Sequence, residues 1–153
     1  MKSGFRFLLA LIVALLVMLA FRLLVMAVCT IEGDGLAPQF MIGDRVVINR
    51  WSYGLRTGEK GSLFDYGRIG RQQVRKGDII AFEDSLGQLM ICRCTGLPGD
   101  TIRLTGHKVV VPGIQTCAGQ DYYWVESIGK NNPTDSRLLG FIPEERIIGR
   151  VCL

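Results

Sequence analysis

Residues 7–21 form an unbroken apolar run, and after Arg22 the apolar character resumes through residues 23–28. No acidic residue lies in the first 30 positions, whose charges are Lys2, Arg6 and Arg22. As a helix, residues 7–28 would span about 33 Å, enough for a hydrocarbon layer of about 30 Å. Arg22 is close enough to the far end to snorkel to the interface. Lys2 and Arg6 flank the near end. The positive-inside rule then sets residues 1–6 in the cytoplasm, residues 7–28 across the membrane and residues 29–153 on the outer face. A cleavable signal peptide has a shorter apolar core and a small-x-small site. Ala27-Val28-Cys29 is a poor site of that kind, and valine before Cys29 also fits a lipoprotein signal badly. A permanent anchor is the expectation.

Beyond the anchor the composition changes. Three of the 18 basic residues belong to the anchor, which leaves 15 against 14 acidic residues in positions 31–153. A nearly neutral domain is a poor partner for nucleic acid, which requires a concentrated basic surface. The one basic run, Arg68, Arg71, Arg75 and Lys76, reads as a solvated loop rather than a lipid headgroup patch. Short segments rich in β-branched and aromatic residues recur between glycine-rich turns: 45–50, 51–56, 76–82, 89–95, 101–104, 108–111, 121–125 and 146–152. Residues 57–75 read as a long loop or hairpin insertion, and 126–136 as a polar turn region. No soluble helical period stands out. The expected fold is an all-β ectodomain of coiled or barrel-like antiparallel sheets behind one N-terminal transmembrane helix.

Five cysteines, Cys29, Cys92, Cys94, Cys117 and Cys152, lack zinc-ligand spacing, and the single histidine, His107, cannot complete a set. Neither a metal nor another cofactor is expected. On an alternating strand Cys92 and Cys94 share a face, and Cys117 or Cys152 could pair with one of them in an oxidising compartment. An odd count leaves at least one free thiol.

Four ordered segments carry a resemblance. Residues 31–44 read I-E-G-D-G-L-A-P-Q-F-M-I-G-D. Lys76-Gly77-Asp78 opens a strand. Cys92-Arg93 leads through Cys94-Thr95 into Gly96-Leu97-Pro98-Gly99-Asp100. Asn132-Pro133-Thr134-Asp135-Ser136-Arg137 is the fourth. Together they resemble the boxes of type I signal peptidases, membrane-bound peptidases with a Ser/Lys dyad. The resemblance implies that the nucleophilic serine belongs at Gly35, the general-base lysine at Cys92 and an accessory serine at Pro133. A glycine cannot attack, and proline has no hydroxyl. A buried thiol stays protonated and is a poor base. No catalytic residue is therefore expected at these positions. Gly77, Asp78, Arg93, Gly96, Pro98, Gly99, Asp100, Asp135, Ser136 and Arg137 match the family's scaffold. Asp135 and Arg137 are suited to a charge-assisted pair. Peptide-binding candidates are Asp34, Gly35, Leu36, Pro38, Ile91 and Cys92.

Two stand-ins are weaker. Cys92 with His107 as its base would need hydrogen-bond contact that nothing in the sequence supplies. Ser85 reads as turn chemistry. The first expectation is a binding module of the secretion pathway, docking signal peptides, preproteins or an active signal peptidase at the bilayer. A peptidase with a rearranged mechanism and a structural remnant without ligand are the rivals.

Overall fold

The computed structural model describes residues 2–31, 40–41, 43–58, 66–104, 106–116, 118–129 and 134–152. Helix α1 (Lys2–Val25) is apolar around its whole circumference, with Phe7 and Val17 among its many exposed side chains. Such a helix requires apolar surroundings. Its section Gly4–Arg22 is long and apolar enough to cross a membrane, at about 28 Å.

The helix ends earlier than the apolar run. Strand β1 (Met26–Thr30) pairs antiparallel with β2 (Arg45–Asn49), from Met26↔Asn49 to Thr30↔Arg45. The Arg50 N–H donates to the Val25 carbonyl at 2.9 Å, so the ladder begins where the helix stops. The expected segment 7–28 is therefore not one helix: the helix starts at Lys2, and Met26, Ala27 and Val28 belong to the sheet. Apolarity alone does not separate a lipid-facing helix from a strand that packs on a core.

The main sheet has seven strands. Five follow β2 in the chain: β5 (Ile79–Glu83), β6 (Leu89–Gly96), β9 (Tyr122–Glu126), β10 (Ile142–Pro143) and β11 (Ile147–Cys152). Their spatial order is β1-β2-β11-β5-β6-β9-β10, with every pair antiparallel. The pairing register shifts between Ile147 and Gly149 and between Cys94 and Gly96. Such irregularities increase local twist, and the sheet curls into a half-barrel. Two hairpins stand beside it, β3 (Leu55–Thr57) with β4 (Gly67–Ile69) and β7 (Thr101–Leu104) with β8 (His107–Val110). The fold is the expected all-β one, and the hairpin expected within 57–75 has its strands at Leu55–Thr57 and Gly67–Ile69. Residues 51–54, part of the expected strand segment 51–56, form a turn.

β5 explains where the core lies. Four of its five residues are buried, Ile79 and Ala81 in one cluster, Ile80 and Phe82 in another. Continuous burial of this kind needs cover on both faces of the strand. The first cluster also holds Ile31, Phe40, Val46 and Ile48; the second holds Tyr53, Cys92, Cys94, Val125 and Ile147. Where cross-strand packing is tight, only glycine fits: a Cβ on Gly96 would lie 2.9 Å from the Cβ of Trp124.

Candidate functional site

Of the first box, the structure describes the two ends. Ile31 and Phe40 are buried in the same cluster. The Ile31 N–H donates to the Asp44 carbonyl and the Gly43 N–H to the Ile31 carbonyl, both at 2.9 Å. Asp44 accepts the Met41 N–H at 2.8 Å, and Gly43 takes a φ of 91° at the return. The Gly43-Asp44 pair thus closes the β1–β2 connection. Asp34, Gly35, Leu36 and Pro38 lie outside the described residues, as does Pro133.

Cys92, where the resemblance implies a base, is placed in full. Cys92, in the middle of β6 opposite Ile80, is 2% exposed. Its Sγ lies 3.8 Å from the Thr134 carbonyl oxygen, which accepts from the thiol. The fourth box therefore meets the third at this point, one residue from Pro133. Burial, reinforced by the negative charge of Asp135, pushes the Cys92 thiol up to about 12. Cys94, on the same face as expected, is pushed up to about 12 by burial and then by Asp78. Alternation turns Ile91 the other way, against the cluster that holds Ile31 and Phe40. The structure thus brings Ile91 to the ends of the first box and Cys92 to the fourth.

The scaffold residues are tied down by hydrogen bonds. Fully buried Asp135 accepts the N–H of Ser127 at 3.1 Å and that of Arg137 at 2.9 Å. It also takes the Arg137 guanidinium at 2.6 Å, the pair that the sequence suggested. Burial alone would raise this carboxyl. The hydrogen bonds from the side chain and backbone of Arg137 and from Ser127 outweigh it and hold the group below its ordinary value. Asp135 caps the short helix α2 (Ser136–Leu139), and Ser136 Oγ accepts the Val125 N–H at 2.9 Å. The segment bearing Thr134 is thereby fixed against β9.

In the second box Gly77 has a φ of 95° and donates its N–H to the Cys94 carbonyl at 2.7 Å. Asp78 accepts from the Tyr53 hydroxyl at 2.9 Å and the Arg75 N–H at 3.1 Å. In the third, Asp100 accepts the Leu97 N–H at 3.0 Å and returns its own N–H to the Leu97 carbonyl at 2.9 Å. Gly99, at a φ of 88°, turns the chain between them, beside Pro98. Arg93 is exposed on β6, on the face that it shares with Ile91.

The stand-ins do not assemble. His107 is exposed on the β7–β8 hairpin, in a different sheet from sealed Cys92. Ser85 lies in a turn organised by Asp84, which accepts the N–H groups of Leu86 and Gln88 at 2.8 Å each. Cys29, Cys92, Cys94 and Cys152 are all free thiols, so Cys152 bridges to neither β6 cysteine; Cys117 lies outside the described residues. Among the described residues no cluster of side chains is fit to hold a metal ion.

The basic run corrects its solvated-loop reading. The Arg68 side chain is 2% exposed and donates to the carbonyls of Gly54, Glu144 and Ile147. Arg71 pairs with Glu144 at 2.7 Å and with Asp121 at 2.8 Å. Arg71 is paired but still exposed, and Arg75 and Lys76 are the exposed charges that the pattern implied; Arg68 is the one of the four that is sealed. Sequence reasoning also passed over Tyr53; its place inside a Trp-Ser-Tyr-Gly turn, away from any strand alternation, gave little signal of burial.

A sequence model of the family described as "Signal peptidase, peptidase S26" matches residues 4–118. The chain belongs to this family. It is 28% identical over 147 residues to a signal peptidase I of Leptolyngbya laminosa, covering 78% of this chain and 64% of that protein. It is 26% identical over 155 residues to a probable signal peptidase I-2 of a Synechocystis species, covering 91% and 67%. A shorter match, 34% over 82 residues, joins it to mitochondrial inner membrane protease subunit 1 of Xenopus tropicalis, covering 52% and 48%. The chain thus spans about two thirds of the length of the signal peptidases it matches. Within the signal peptidase family, the boxes' glycines and aspartates hold turns here, and Cys92 is a sealed thiol.

Proposed function

We propose that this chain is a membrane-anchored, non-cleaving member of the signal peptidase family that binds signal peptides, preproteins or an active signal peptidase. In this reading α1 crosses the bilayer with Lys2 and Arg6 on the cytoplasmic side, and the β domain works at the outer face. The observation that carries it is Cys92. Burial at 2% exposure, with Asp135 nearby, pushes its thiol well up and keeps it protonated at pH 7, so it neither takes a proton from a nucleophile nor attacks a carbonyl itself. Gly35 offers no nucleophile to activate. Binding needs less. An extended peptide can add to a sheet through backbone hydrogen bonds, with pockets taking alternate side chains. β1 is an edge strand of the main sheet, and it leads into the first box.

The test uses the full-length chain in detergent with a labelled preprotein, beside a Gly35→Ser, Cys92→Lys double variant. Burial at position 92 lowers an ammonium toward the range of a working base. The expected result is no cleavage by the wild type, retention of the signal peptide by both, and cleavage by the double variant. Cleavage by the wild type overturns the non-cleaving reading. Absence of retained peptide in both overturns the peptide-binding one.

A further inference from the structure

A cleft of about 730 Å³ opens at the helix-proximal end of the β domain. Asn49, Tyr53, Arg75, Lys76, Asp78 and Arg150 line it. Its position follows from the sheet. Asn49 lies opposite Met26, the first residue after α1, and Arg150 lies opposite Asn49 on the other side. Two strand spacings put Arg150 about 10 Å from the point where the chain leaves the helix. The Arg50 N–H is bonded to Val25 itself. Trp51, next in the turn, is 44% exposed, as an aromatic at a membrane interface is.

The charges in the cleft are arranged to receive an anion. Asp78 pairs with Arg150 through Nε at 3.5 Å, which orients the guanidinium and leaves both Nη groups without a partner among the described residues. The same carboxylate is occupied by the Tyr53 hydroxyl and the Arg75 N–H. Arg75 and Arg50 make no side-chain bond among the described residues, whereas Lys76 is partly engaged by Asp100 at 3.5 Å. The lining cations Arg75, Lys76 and Arg150 against the one satisfied carboxylate of Asp78 leave the cleft positive, and a guanidinium fork matches phosphate oxygens in pairs.

The geometry points to a binding site for the phosphate headgroup of an anionic phospholipid in the leaflet where α1 ends, held by Arg150 and Arg75. The headgroup layer is roughly 5–7 Å deep on each face of a bilayer, so Arg50 and Trp51 lie at its level and the cleft opens beside it. A soluble phosphate offers the same chemistry without acyl chains. The site rests on the reading of α1 as a membrane anchor, and the experiment separates the two.

The full-length chain is first floated with phosphatidylcholine liposomes; a chain that fails to float overturns the anchor and this site with it. The floated protein is then moved to detergent and titrated with phosphatidylglycerol, phosphatidylcholine and inorganic phosphate, with bound lipid read by native mass spectrometry. The expected result is at least about a tenfold preference for phosphatidylglycerol, cut about fivefold by Arg150→Gln and by Arg75→Gln. Arg75→Gln keeps the Asp78–Arg150 pair, so a folding failure of the other variant does not remove the test. Arg103→Gln, the same charge change on the distant β7–β8 hairpin, should leave the preference intact. Equal retention of the two lipids, or a loss equally large in Arg103→Gln, overturns the site. Inorganic phosphate binding as tightly as phosphatidylglycerol overturns its assignment to lipid.

Discussion

Replacing Asp135 tests the claim that the fourth box is a fastening rather than a catalytic relic. The carboxylate is fully buried and accepts two backbone N–H groups, those of Ser127 and Arg137. Hydrogen bonds to a charged group contribute about 1.5 kcal/mol each at the low end, so Asp135→Ala is expected to cost about 3 kcal/mol. The ion pair with water-exposed Arg137 is left out of that figure, because exposed pairs contribute little. Asp135→Asn keeps the volume and one acceptor oxygen and should cost about half as much. With an m-value of about 2 kcal/mol/M, Asp135→Ala lowers the urea midpoint by about 1.5 M. Trp124, buried in the strand that Ser136 grips, reports unfolding by fluorescence in detergent micelles at pH 7. The pH dependence has a definite sign. The folded-state carboxyl titrates below its ordinary value, so its stabilisation is complete above the unfolded value near 3.9 and is lost as pH falls through the folded one. The gap between wild type and Asp135→Asn should narrow between pH 5 and pH 2.5. A midpoint shift under 0.5 M, taken as roughly 1 kcal/mol, or a gap constant across that range would refute the account.

Two further outcomes are expected from burial and packing. Maleimide at pH 8 should label exposed Cys152 rapidly and Cys92 and Cys94 only after denaturation, and raising the pH to 10 should not change this, because both buried thiols titrate near 12. Peptide mapping by mass spectrometry decides it, and labelling of Cys92 at the rate of Cys152 would contradict a sealed site. Gly149→Ala should destabilise the chain by about 1–3 kcal/mol, since its Cβ would strike the backbone of Asn49 and lie 3.0 Å from the Arg50 Cα. Gly119→Ala, in open space, should stay within about 0.5 kcal/mol in the same urea series.

Turn and strand chemistry was legible where the side chain that does the work is local. Gly77, Gly99, Asp100 and Asp135 act on neighbours two to four residues away or on adjacent strands, and their motifs announce it. The alternation of Cys92 and Cys94 likewise follows from a period of two. Arg68 was not legible, because its partners at Glu144 and Ile147 are 76 and 79 residues distant and nothing local distinguishes a buried arginine from a solvated one. The end of α1 escaped for a related reason. Whether Met26, Ala27 and Val28 continue a helix depends on β2, which lies 15 or more residues further along. The candidate site was half legible: the substitutions at its key positions are read directly, while the meeting of Cys92 with Thr134 depends on a fold that brings residues 42 apart together.

β11 lies between β2 and β5, yet it is made after both. Until residues 147–152 emerge, the β1–β2 hairpin at the anchor and the β5-β6-β9-β10 group share no strand. Contacts of such long sequence separation are slow to form and leave strand edges open in the meantime. Synthesis runs from the N-terminus, so the two halves of this sheet stay apart until β11 has been made. The zip that joins them comes late, and a chain cut short before it keeps a hairpin with a bare edge rather than a smaller version of the domain.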